Sequence, residues 1–466
     1  LDYHGYRYKN IHLDGNWNVN EVNGNLSIND ENVQLNIDGI ADWDPDGTRV
    51  DLKIDLEDFS PASVNLTKKN PDLRITTLAY VSLYTHGTKT QMLDNMHGYV
   101  IFDSIDLYNN AERQLIKPLK IIIENNPQIR VQSDMITASI SGDYSYSSLP
   151  TVIQHLLHKC MPTLIEKPHK VFPKNTHVDF YAYLHSIGKL NKILNLDINI
   201  PSTSVVKGYL RDEDFSINGS IPKLDTKNIH IEDITLAVNN QNERLNLSLY
   251  ALTRLPKHNP TIAKIGDIRT TFRASAYDNN IDLNILLGNT DSVRNGGDIS
   301  ISSQISKYQN KPKIDIEIKP TEIILNDSLW SISPTHITYT HATKCVDVRN
   351  LLLKTDYQSI YADGKISPLR TDSLNIDLRN IKVDYLLTYT DAPKVISIQG
   401  LVTGNATLYS VLSELVLDAN ARIPNAGING VYLGDAIAEA KWDRINKSIL
   451  IDGVVVDSTN HTVADV

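Results

Sequence analysis

An apolar side chain at every second position, repeated in run after run along nearly the whole chain, constrains this sequence more than any other feature. In Ser373 to Asp384, Leu374, Ile376 and Leu378 face one way while Asn375, Asp377 and Arg379 face the other, which is the pattern of a strand with one greasy face. The same alternation recurs in Leu26 and Ile28, in Val50, Leu52, Ile54 and Leu56, and in Leu245, Leu247 and Leu249. It continues in Leu283 and Ile285, in Ile299 and Ile301, and in Ile314, Ile316 and Ile318. Asn23-Gly24, Asp46-Gly47 and Asp278-Asn279-Asn280 punctuate the runs as turn signals that favour antiparallel neighbours. Between Leu378 and Ile381 the apolar positions change parity. Either a bulge or turn falls at Arg379 to Asn380, or Ile381 and Val383 turn to a different surface, continuing as a short helix through Tyr385, Leu386 and Leu387.

Two further stretches read as helix. Leu149 to Glu166 repeats apolar residues every three or four positions, with Ile153, Leu156 or Leu157, Cys160 or Met161 and Leu164 on one face. Ser148 is placed to cap it, and Pro162 should kink or end it. His185 to Leu196 has the same spacing over a narrower face. The Pro- and Lys-containing joint from Lys167 to Asn175 marks a boundary between an N-terminal sheet segment, 1–170, and a continuous segment, 171–466.

Roughly 30 strands against two or three short helices leave a sheet face that helices cannot cover. The expected fold is therefore mostly β: a long, curved, predominantly antiparallel sheet whose apolar face forms a groove. The inward rows Leu245, Leu247, Leu249, Leu283, Ile285, Ile299, Ile301, Ile314, Ile316, Leu374 and Ile376 are the candidate lining. Each buried methylene is worth about 0.8 kcal/mol, so such a trough would hold acyl chains without polar recognition. The alternation alone equally allows β-sandwiches whose faces pack on each other, as in a multi-domain adhesin, or a scaffold that guides outer-membrane barrel proteins by offering sheet edges.

Chemistry is sparse. The chain has 466 residues with a net charge of -10, which argues against nucleic acid as a partner. It holds no Gly-rich phosphate loop, no Gly-x-Ser-x-Gly elbow, no His-Glu-x-x-His and no Cys-x-x-Cys, so neither an enzyme nor a cofactor is expected. Two cysteines, Cys160 and Cys345, allow at most one bridge. His155, His158 and Cys160 on one helix, and Asp42, Asp44 and Asp46 in ADWDPDG, are incomplete metal-ligand patterns, more economically read as a helix surface and a solvated turn. No apolar run is long enough for a transmembrane helix, and the opening on Leu1 suggests a piece of a longer protein.

The segment from Asn326 to Ser367, with Trp330-Ser331-Ile332-Ser333-Pro334 and the run Gln358 to Ile366, resembles the TamB branch of the AsmA-like superfamily. Ile398 to Ile423, Gly434 to Trp442 and the strand-into-helix stretch SGDYSYSSLPTVIQHLLHKCMPTL fit the same pattern, so the likeness spans approximately Ser141 to Val466. The resemblance implies a non-enzymatic bridge protein of the bacterial envelope, anchored in the inner membrane and crossing the periplasm. It implies phospholipid as cargo, and an outer-membrane barrel protein of the Omp85 type as a partner met through a part not contained in this sequence.

Overall fold

The computed structural model describes every residue except 45, 90, 111, 117, 126, 227–228, 255–265, 290–293, 326, 384–397, 413–415, 444–447, 458–460 and 466. Strand makes up 67% of the chain, antiparallel and curved, and two α-helices lie among the described residues. The mostly β fold expected from the alternation is what forms. Two compact units divide it: Leu1–Leu156 with Lys167–Arg254, and Leu157–Glu166 with Leu255–Val466.

Each unit is a meander in which strands pair in chain order. In the first, Ile11–Trp17 pairs with Glu21–Asp30, followed by Val33–Asp44, Gly47–Phe59, Leu73–Thr85 and His97–Asn109. The ladder continues through Leu119–Glu124, Gln128–Gln132, Ile136–Asp143, His177–Leu184, Ser204–Arg211, Asp214–Thr226 and His230–Asn239 to Leu245–Arg254. In the second, Ile268–Tyr277 leads through Asn280–Asn289, Gly296–Tyr308, Lys311–Ile318, Thr335–Thr340, Cys345–Lys354, Ser359–Ile366 and Ser373–Lys382. Leu401–Tyr409, Val416–Ile428, Val431–Asp443, Ser448–Val456 and Thr462–Asp465 complete it. Among the described residues no pairing closes either sheet into a barrel. Pro118, Pro201, Pro320 and Pro334 interrupt strands without changing this order, because the pieces on either side pair with the same neighbour. A proline has no N–H to give the ladder, so the strand breaks there and resumes.

The parity change at Leu378 is a bulge, and it is one of four built alike. Two residues oppose one at Glu57-Asp58 against Thr76, Arg349-Asn350 against Asp363, Arg379-Asn380 against Thr403, and Pro424-Asn425 against Asp435. In each, the second bulged residue is an Asp or Asn at positive φ: 47° for Asp58, 56° for Asn350, 53° for Asn380 and 54° for Asn425. Its amide, lost to the ladder, donates to the side chain of the lone opposing residue at 3.0–3.1 Å. At Asp435 this donation from the Asn425 amide, with Arg422 beside it, holds the carboxyl below the usual range. Asp and Asn tolerate the left-handed region best among residues with a Cβ, which is why they stand here. The extra residue returns Ile381 opposite Val402, on the face of Leu374, Ile376 and Leu378, so Ile381 does not belong to a different surface. The helix expected through Tyr385 to Leu387 lies outside the described residues.

Replacing Asn380 by Val is expected to destabilise the second unit by about 2 kcal/mol, through left-handed strain and lost hydrogen bonds. Asn380→Gly should cost less, since Gly takes positive φ freely. Thermal unfolding of the two variants checks this; equal melting points would remove the conformational argument.

The helices are shorter than the spacing suggests. The first, α1, is Leu149–Cys160, ending just before Met161-Pro162. Val152 and Cys160 face inward while Ile153 is 55% exposed, so its buried stripe is rotated from the expected one. The Ser148 hydroxyl donates to the Ser145 carbonyl instead of capping α1. The second, α2, is Gly188–Leu194. Asn23-Gly24 is not a turn either: it lies inside Glu21–Asp30. Cys160 and Cys345 form no disulfide.

Candidate functional site

Because directly paired residues share a face, the strand register lets side-chain rows be followed across the strands. In the first unit one row runs Trp17, Val22, Ala41, Val50, Leu83, Gly98, Ile123, Ile129, Ile140, Phe180, Gly208, Ile217, Val238 and Leu247. The next, two residues along, passes through Gly15, Gly24, Gly39, Leu52, Val81, Val100, Ile121, Val131, Ala138, Ala182, Val206, Gly219, Leu236 and Leu249. No polar side chain interrupts either row. The row between them belongs to the other face and carries Asn16, Asn23, Asp51, Ser82, Tyr99, Arg130, Ser139 and Lys207. There the Ser82 hydroxyl, 2.5 Å from Asp51, and the Arg49 guanidinium hold the Asp51 carboxyl below its usual range against the opposing effect of burial.

The second unit repeats the arrangement less strictly, with Ser303 standing opposite Ile316 in its row. Leu283 pairs with Ile301 and Ile285 with Ile299; Ile301 pairs with Ile318, and Ile305 with Ile314. Ile316 opposes Ile337, and the row continues through Val348, Gly364, Leu374 and Leu408. Ile376 stands between Ala362 and Ala406, in a row reaching Ala419 and Ala440. Leu247 and Leu249 belong to the first unit's apolar rows, and Leu245 shares their strand and parity; the other eight proposed liners lie in the second unit.

Burial separates covered from uncovered parts of this face. Where α2 packs on it, Ile193 is 1% exposed and Leu73 and Leu107 are 7% exposed, with Ile75, Ile105, Ile116, Leu190 and Leu194 around them. The Asn70 side chain donates to the Leu194 carbonyl at 2.9 Å, and Asn109 donates to that of Ile193. These satisfy carbonyls that a helix end leaves open. Elsewhere most row residues are half-buried; Val348, Ala362 and Leu374 form a further buried cluster, and of the eleven proposed liners only Leu374 is buried. The face is concave at Trp330, which shares one buried cluster with Ile381, Val383 and Val402. The strand Ser328–Ile332 is three ladder steps from Ser373–Lys382, about 14 Å in a flat sheet, so the sheet must curl to bring them together.

The histidines of α1 take unrelated partners: His155 Nε2 is 3.1 Å from Glu213 Oε1, and His158 Nδ1 is 2.7 Å from the Ile165 carbonyl. Asp44 accepts from the Asn20 side chain at 3.2 Å. Among the described residues no three His, Cys, Asp or Glu side chains converge as a metal site, and no helix is long and apolar enough to cross a membrane. No family model, no curated protein and no solved structure matches this chain.

Proposed function

We propose that this chain is the middle of a TamB-like, non-enzymatic bridge protein of the bacterial periplasm, whose apolar sheet face carries phospholipid acyl chains between membranes. The observation that carries the reading is the half-exposed state of continuous apolar rows. Packed sandwiches would bury their inner faces, as α2 does locally; large uncovered apolar surface instead marks an interaction or ligand site. The backbone beneath the rows is paired in the ladder, so the face asks for no polar partner. The Omp85-type barrel partner belongs to the same reading and rests on the resemblance alone.

Native mass spectrometry of protein purified from a diderm host tests it directly. Co-purified species with phospholipid masses are the expected result. Delipidated protein that takes up no added phospholipid would sink the proposal.

A further inference from the structure

Glycines on the apolar face meet different fates. A Cβ at Gly208 would stand 2.7 Å from Phe180 Cζ, and one at Gly39 would stand 2.6 Å from Leu52 Cδ2; both gaps are filled by a neighbour's side chain. Gly15 and Gly24, paired directly across Ile11–Trp17 and Glu21–Asp30, meet only backbone, with Asn23 O and Asp14 O at 2.5 and 2.4 Å from the positions a Cβ would take. Nothing fills the space above them. A hollow of about 320 Å³ results, walled by Leu13 and Leu26 on one side and Trp17 and Val22 on the other, with Leu52 behind Gly39. That size is at the small end of ligand sites, which run about 300–1,000 Å³. Leu13 and Trp17 are each 80% exposed. This is the structural reason that Asn23-Gly24 lies within a strand.

We infer that this notch binds one acyl chain of a phospholipid, a proposal that rests on the acyl-carrying reading of the face. The floor is main chain already paired in the ladder and the walls are hydrocarbon, so an apolar ligand meets no unsatisfied group. The notch lies on the rows that run on across the unit, hence its occupant is continuous with lipid held further along. Trp17 and Trp43 share the apolar face at the nearer strand ends, and indole rings favour the level where acyl chain meets headgroup.

The test titrates the purified protein with a phosphatidylethanolamine whose acyl chains carry bromine, a contact quencher of tryptophan, while native mass spectrometry reads bound lipid. Wild type is expected to lose fluorescence on binding. Trp17→Phe should bind lipid yet lose most of the quenching, and Leu13→Ala, at a site exposed enough to leave folding intact, should weaken the quenching midpoint severalfold. Bound lipid mass with no Trp17-dependent quenching overturns the notch while leaving the groove standing. No bound lipid in any variant removes the groove reading and the notch with it. A dimer in solution that Trp17→Phe dissociates would give the notch to a second copy of the chain instead.

Discussion

Ile381→Ala is expected to destabilise the second unit by about 2–5 kcal/mol, the range for emptying a fully buried Ile site. Ile381 is 1% exposed and sits with Trp330, Val383 and Val402 where the sheet curls, with Ile323, Leu353, Ile360, Leu378, Ala421 and Ile423 packed around them. An alanine leaves a void that neighbours fixed in a ladder cannot fill by a small shift. Leu286→Ala is the matched control: Leu286 is 43% exposed and stands opposite Asp298 on the polar face, so its loss should stay within about 0.5 kcal/mol. Urea unfolding of both variants reads the difference. Similar midpoints would mean that the Trp330 cluster does not hold the curl, and that ladder hydrogen bonds alone support the sheet.

Legibility in the sequence follows the range of the interactions concerned. Alternation is local, so strands such as Ser373–Lys382 and Asn280–Asn289 could be read directly, along with the antiparallel meander that short turns enforce. The four bulges were half visible. Leu378-Arg379-Asn380-Ile381 shows a broken alternation, but what fixes its outcome is Thr403 on the neighbouring strand, and no local pattern names that partner. Reading Leu56-Glu57-Asp58-Phe59, Val348-Arg349-Asn350-Leu351 and Ile423-Pro424-Asn425-Ala426 together as apolar-x-Asx-apolar would have exposed the device. Asn23-Gly24 misleads for the opposite reason. The dipeptide suits a turn, yet Gly24 is needed for the close approach of Gly15 across the ladder. The buried stripe of α1 and the seat of α2 on Leu73 and Leu107 depend on strands far away in sequence, so helical spacing found the helices but not their inward faces. The candidate site itself was legible as a list of apolar positions. Which of them are covered is a matter of tertiary packing, and the contrast between Ile193 and the half-buried rows exists only in three dimensions.

Placing Asp at both Ile301 and Ile316 should abolish acyl-chain retention in the second unit while leaving that unit folded. Ile301 lies between Leu283 and Ile318, and Ile316 between Ser303 and Ile337; both are half-buried on strands whose ladders continue on either side. A carboxylate there keeps part of its hydration when the face is uncovered, so the protein bears it at modest cost. An acyl chain laid along the row would have to strip that water without offering a hydrogen bond, a penalty of several kcal/mol that outweighs the roughly 0.8 kcal/mol gained per methylene buried nearby. The expected result is a far-ultraviolet circular dichroism spectrum and a melting temperature close to wild type, with phospholipid absent or strongly reduced in native mass spectra. If the double variant unfolds as Ile381→Ala does, Ile301 and Ile316 belong to a closed core and the acyl-carrying face loses its basis. If it folds and retains lipid as before, the chains travel elsewhere than over these rows.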